Sequence, residues 1–162
     1  MQPAGRHTAP ASYRLKIRRV AIVASRWNDP VTTRLVEGAQ KALREAGLEK
    51  GAVDLFWVPG AFELPQAVQT AAETKKYDAV IPIGCVIRGE TYHFDFICQS
   101  VAVGLEAAGR DSGVAVSLGI LTVDSLEQAL ARAGGRYGNK GEDAAWAALE
   151  LAVLKQELRS HE

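Results

Sequence analysis

Short apolar runs of strand length alternate with stretches of helical period along most of this chain. Val20-Ala21-Ile22-Val23-Ala24 is continuously apolar rather than alternating, the pattern of a strand covered on both faces. After it, Val31, Leu35, Ala39, Ala42, Leu43 and Ala46 recur at helical spacing and give one apolar stripe. Asn28 or Asp29 can cap that helix, Pro30 suits its first turn, and Gly47 follows its end. Val53 to Val58 reads as the second strand, stopped by Pro59-Gly60, with a helix from about Pro65 to Lys75. A third strand, Ala79 to Cys85, leads into a helix from about Thr91 to Ala108. A fourth strand near Val114 to Leu121 precedes two helices, about Ser125 to Ala133 and Gly141 to Arg159.

Four βα units in succession predict a three-layer, doubly wound α/β domain of flavodoxin-like type, a four-stranded parallel sheet flanked by helices. Residues 15–162 form this domain, and residues 1–14 read as a flexible or partner-bound arm. Met1 to Ser12 holds Pro3, Gly5 and Pro10 but no apolar core, so it is not expected to be a signal peptide. Ligands of such sheets bind beyond the carboxyl ends of the strands. That rule nominates four segments: Ser25 to Asn28, Pro59 to Glu63, Gly84 to His93, and Gly119 to Asp124.

Composition narrows the classes. A chain of 162 residues at 48% hydrophobic suffices for one well-buried domain and is too short to expect two. Nineteen acidic residues balance nineteen basic ones, so no global field favours nucleic acid or an anionic membrane. No apolar run approaches the roughly 17–20 residues of a membrane span. Cys85 and Cys98 fall on different elements without a CxxC motif, as expected of reduced thiols in a cytoplasmic protein. With one histidine near them they make a poor metal set, and no metal is expected.

The four edges carry the candidate chemistry. His93 is the only histidine away from the termini, His7 and His161 lying at the ends. It stands where a strand pattern breaks at glycine and a helix begins, a turn whose N–H groups and positive dipole end suit an anion. A side chain that titrates near neutrality there suggests acid–base chemistry on an anionic substrate; a surface histidine in a first helical turn is the plain alternative. Trp27 could stack on a heteroaromatic ring or plug the loop. Gly60 and Ala61 allow close approach, so Ala61 and Phe62 can offer main-chain groups while Glu63 accepts from hydroxyls; equally, Glu63 suits a first helical turn. Gly89-Glu90-Thr91 offers N–H groups and a hydroxyl in the manner of a phosphate site, although neither a Walker loop nor GxGxxG is present. Arg132 could grip phosphate in a fork and Lys140 add a point charge, or Arg132 could face a helix C-terminus and Lys140 be a solvated loop lysine.

From about Val20 to Leu158 the chain resembles the lumazine synthase family. The resemblance is carried by Ser25-Arg26-Trp27-Asn28, by Pro59-Gly60-Ala61-Phe62-Glu63-Leu64-Pro65, and by Gly84-Cys85-Val86-Ile87-Arg88-Gly89-Glu90-Thr91-Tyr92-His93-Phe94-Asp95. It continues through Gly119-Ile120-Leu121-Thr122 and Glu127-Gln128-Ala129 to Arg132-Ala133-Gly134 and Gly138-Asn139-Lys140-Gly141. It implies condensation of 5-amino-6-ribitylaminouracil with 3,4-dihydroxy-2-butanone 4-phosphate to 6,7-dimethyl-8-ribityllumazine, phosphate and water, with no cofactor. By that resemblance Trp27, with Asn28 beside it, would meet the pyrimidine, Ala61, Phe62 and Glu63 would hold the ribityl chain, and Cys85, Val86 and Ile87 would line the ring edge. Gly89, Glu90 and Thr91 would receive the phosphate-bearing substrate, Arg132 would grip its phosphate, Lys140 would add charge and Leu118 would close the pocket. His93 would transfer protons.

Two positions depart from the commonest pattern: Trp27 replaces phenylalanine, and Leu118 falls where an aromatic is frequent. A wider ring opposite a smaller side chain suggests room for riboflavin. The resemblance also implies a homopentamer with each site shared between neighbours, residues up to His93 from one chain and Leu118, Arg132 and Lys140 from the next. The short loop Gly134 to Asn139 points to a sixty-subunit icosahedral shell, whereas the Pro3/Pro10 arm does not look like the added strand of such shells. A non-catalytic riboflavin-storage protein on the same scaffold is the rival reading. It would keep Trp27 and Pro59 to Glu63 without needing His93 or Arg132.

Overall fold

The computed structural model describes residues 17–161; the arm expected over residues 1–14 lies outside them. In chain order the elements are β1 (Val20–Ser25), α1 (Asp29–Glu45), β2 (Val53–Val58), α2 (Leu64–Glu73), β3 (Ala79–Ile87) and α3 (His93–Ser112). Then follow β4 (Ala115–Val116), β5 (Gly119–Val123), α4 (Leu126–Ala131), β6 (Ala133–Gly135), β7 (Gly138–Asn139) and α5 (Lys140–Ser160). β1 to β5 form a parallel sheet in the order β2-β1-β3, with β4 and β5 lying one after the other along the free edge of β3. The expected three-layer parallel architecture is therefore the observed one.

Burial explains why the strands are apolar at every position. Val20, Ile22 and Ala24 of β1 and Ile81 and Ile83 of β3 pack with Leu35, Leu43 and Leu149 of α1 and α5. Ala21 and Val23, with Val80, face Leu64, Val68, Val101 and Leu105 of α2 and α3 instead. A strand sandwiched between two helical layers has no polar side, and each large side chain so buried contributes about 1.5–3 kcal/mol.

The fourth strand differs from expectation. Val114 to Leu121 reads as one run, yet the structure breaks it at Ser117 and Leu118 between β4 and β5. Pro82 supplies the reason. Ser117 N–H donates to Val80 O at 3.4 Å, so the backbone groups of Val80, and two residues on those of Pro82, face this edge. Proline has no N–H to continue the ladder there. Register survives the gap, since Val80 pairs with Val116 and Ile83 with Gly119. The break leaves Leu118 on the surface, 60% exposed. The loop expected between the last two helices is a two-stranded antiparallel hairpin, β6–β7, with Gly134 and Gly138 at positive φ.

Candidate functional site

Asn28 shows how the carboxyl edge of the sheet is assembled. It precedes α1 in the left-handed region, with φ 63° and ψ 42°, and its side chain caps nothing in the helix. Instead Asn28 Nδ2 donates to Cys85 O at 2.9 Å, tying the end of β1 to the end of β3. These two strands flank the point where the strand order reverses, the place where ligands of such sheets bind. Asparagine tolerates that backbone better than most side chains.

The segment after β2 is built onto the same edge. Arg26 N–H donates to Val58 O at 2.8 Å and Trp27 N–H to Pro59 O at 2.9 Å. These bonds set the indole of Trp27 directly over Gly60, where a Cβ would lie 2.3 Å from Trp27 Cε3. Gly60 is extended, at φ −128° and ψ 179°, so it is the ring and not the backbone that requires glycine. A 3-10 turn, Ala61–Glu63, leads into α2, and Glu63 Oε2 accepts from Gly60 N–H at 3.0 Å. Glu63 thus does serve the first turn, while its other oxygen takes no hydrogen bond among the described residues.

Between these segments and α3 lies a cleft of about 560 Å³, lined by Trp27, Asn28, Ala61, Phe62, Glu63, Cys85, Val86, Ile87, His93 and Ile97. Nine of those ten side chains are candidates on sequence alone; Ile97 is the addition, and its place one helical turn beyond His93 is the spacing that signals it. Trp27 is 65% and Phe62 51% exposed, two large rings left uncovered beside a polar rim, as a stacking ligand would require. Burial pushes the Cys85 thiol up to about 11, so it stays protonated near neutrality and offers shape rather than a nucleophile. A second groove, of about 650 Å³, runs past Arg34, Leu126 and Leu130; it has no imidazole and no aromatic plane in its lining.

His93 begins α3 and is exposed. Its N–H points to Thr91 Oγ1 at 3.4 Å. Gly89, Glu90 and Thr91 are exposed, and their N–H groups donate to no acceptor among the described residues, so the turn can receive an anion. Leu118, Arg132 and Lys140 are not brought into the cleft of the same chain. Arg132 Nη1 donates to Gln128 O at 2.9 Å and the guanidinium lies 4.8 Å from the Tyr137 ring centre. Lys140 Nζ donates to Asp143 Oδ2 at 3.1 Å. Among the described residues no three His, Cys, Asp or Glu side chains group as a metal set, and no helix is long and apolar enough to cross a membrane.

The family model for 6,7-dimethyl-8-ribityllumazine synthase matches residues 18–156. A protein of Gemmatimonas aurantiaca named 6,7-dimethyl-8-ribityllumazine synthase is 54% identical over 137 residues, covering 85% of this chain and 84% of its own length.

Proposed function

The chain belongs to the 6,7-dimethyl-8-ribityllumazine synthase family, and on that premise we propose how its cleft divides the work of the reaction. The enzyme is a transferase of riboflavin biosynthesis. It condenses 5-amino-6-ribitylaminouracil with 3,4-dihydroxy-2-butanone 4-phosphate, giving 6,7-dimethyl-8-ribityllumazine, phosphate and water. One observation carries the assignment of roles: Trp27, Phe62, Glu63 and His93, from three separate strand ends, line a single cleft.

Trp27 stacks on the pyrimidine, with Cys85, Val86 and Ile87 along the ring edge. Ala61, Phe62 and the free oxygen of Glu63 hold the ribityl chain. The Gly89–Thr91 turn takes the phosphate-bearing substrate. An amine attacks the ketone, imine formation loses water, phosphate leaves by elimination, and the second amine closes the ring with further loss of water. Each step moves a proton, and His93 at the cleft rim is the group that can carry it. The substrates need alignment more than covalent help, and orientation alone is worth up to about 7–11 kcal/mol. His93→Ala is therefore expected to lower kcat by about 10²-fold or less, read from lumazine absorbance with both substrates. A variant turning over at the wild-type rate across the pH range would remove His93 from proton transfer.

Gly60 offers a test of the stacking surface. Alanine fits its extended backbone, but its Cβ would lie 2.3 Å from Trp27 Cε3, so the indole must retreat by about 1 Å to reach ordinary contact. KM for the pyrimidine is expected to rise roughly tenfold in Gly60→Ala. Riboflavin would stack on the same indole, with Leu118 leaving room for its wider ring, so flavin quenching of tryptophan fluorescence should weaken in parallel. Unchanged KM would show that the ring lies elsewhere in the complex; wild-type protein without quenching would take riboflavin out of the reading.

The cleft is completed by a neighbouring copy. Leu118, Arg132 and Lys140 stand away from it in one chain, and the exposure of Leu118 suits a residue that closes a neighbour's pocket. We place the enzyme in the cytoplasm as a pentamer-based homo-oligomer, the short β6–β7 hairpin favouring closure into the icosahedral shell.

A further inference from the structure

Arg88 follows β3 directly and precedes the Gly89–Thr91 turn. Its Nε donates to Asp124 Oδ1 at 2.9 Å, and its Nη1 lies 3.5 Å from Asp95 Oδ1. Its guanidinium carbon sits 4.2 Å from the centre of the Phe94 ring, and its backbone N–H donates to Val123 O at 2.8 Å. Asp124 is held in turn, its N–H donating to Gln128 Oε1 at 2.8 Å. One side chain therefore connects the end of β5 and the start of α4 to two residues in the first turn of α3. Those two residues, Phe94 and Asp95, adjoin His93.

The surroundings exclude the obvious alternative, a phosphate grip. Two carboxylates flank this one guanidinium, so its local field does not attract a dianion as an unpaired arginine would. What the arrangement does supply is geometry. A planar fork can hold Asp124 with one nitrogen, reach Asp95 with another and lie on the Phe94 ring at the same time, which a lysine cannot do. The His93 side chain makes no hydrogen bond among the described residues, only its backbone N–H reaching Thr91 Oγ1, so the orientation of its ring depends on the helical turn that carries it. We propose that Arg88 is a positioning residue for proton transfer, bracing the first turn of α3 so that His93 faces the cleft. This rests on the role proposed for His93.

Such a brace predicts an effect on rate without a matching effect on folding. Arg88, Asp95 and Asp124 are all substantially exposed, with side chains 45%, 58% and 66% accessible, and exposed ion pairs contribute little to stability. Arg88→Gln is expected to lower kcat about tenfold, with a thermal midpoint within about 2 °C of wild type. In a His93→Ala background the same change should alter kcat less than about twofold, because an effect exerted through His93 has nothing left to act on. Arg88→Lys should recover part of the loss. In histidine-labelled protein, the His93 ring resonance should shift or broaden in Arg88→Gln. If Arg88→Gln does not fold, Asp124→Asn keeps the Phe94 stack and serves the same comparison, with a loss of about threefold. Unchanged kcat and an unchanged His93 resonance would overturn the proposal, and so would a full tenfold loss added to that of His93→Ala. Wild-type protein that fails to condense the two substrates would instead overturn the assigned reaction, and the His93 resonance would still decide whether Arg88 holds that side chain.

Discussion

Replacing Gly141 by alanine is expected to lower the unfolding free energy by about 3 kcal/mol. Gly141 lies in the first turn of α5, where a Cβ would stand 1.9 Å from Leu35 O and 2.6 Å from Leu35 C, both backbone atoms of α1. Helix propensity alone would favour alanine by about 1 kcal/mol. The clash outweighs it, because backbone cannot rotate aside and the two helices must separate. Separation also strains the cap: Asn139 Oδ1 accepts from Gly141 N–H at 2.9 Å while Asn139 Nδ2 donates to Arg34 O at 2.9 Å. The same approach recurs at Gly38, where a Cβ would lie 2.2 Å from Asn139 Oδ1. For a chain of this size the midpoint should fall by about 6–12 °C, measured at matched protein concentration so that assembly does not distort the comparison. Gly51→Ala is the control, since nothing lies within 4 Å of its Cβ position. An unchanged midpoint in Gly141→Ala would mean that α1 and α5 can part without loss.

That contact marks the boundary of what the sequence discloses. The apolar stripe of α1 and the continuous runs of β1 and β3 are visible because burial selects residue type directly, and the carboxyl-edge rule then places Trp27, Phe62 and His93 together. Asn139 is harder to interpret: a polar residue in a glycine-rich loop gives no hint that its amide caps one helix and bonds the backbone of another. The break at Ser117 and Leu118 was encoded in Pro82, on a different strand, and becomes meaningful only once the register is known. Asn28 illustrates a third case. Its residue type suits a helix cap, but the backbone enters the left-handed region and the side chain goes to Cys85 instead. In each instance local propensity was satisfied by a long-range partner that the linear pattern does not name.

Arg132→Ala should raise KM for the phosphate-bearing substrate by about 10–10²-fold, the worth of a charge-assisted hydrogen bond to phosphate, with a smaller change in kcat. Within its own chain Arg132 is occupied by Gln128 O and the Tyr137 ring, and it is absent from the lining of the cleft. On the proposed shared site its effect requires a neighbour, and mixing defective chains tests that requirement. If His93→Ala and Arg132→Ala chains are co-expressed so that they meet at random before assembly, about a quarter of the shared sites pair an intact His93 with an intact Arg132. Neither variant alone can form such a site. At phosphate-substrate concentrations well below the KM of Arg132→Ala, the mixture should recover about a quarter of wild-type activity, which is about 25-fold above a parent that has lost about 10²-fold and about 2.5-fold above one that has lost about tenfold. A site completed within one chain predicts something else, the average of two poor enzymes, because each chain would carry its own defect into its own cleft. Recovery that disappears when the assemblies are formed separately and then combined would place the effect at the junction between subunits. Activity equal to the parental mean in co-assembled protein would return Arg132 to a structural role at the end of α4.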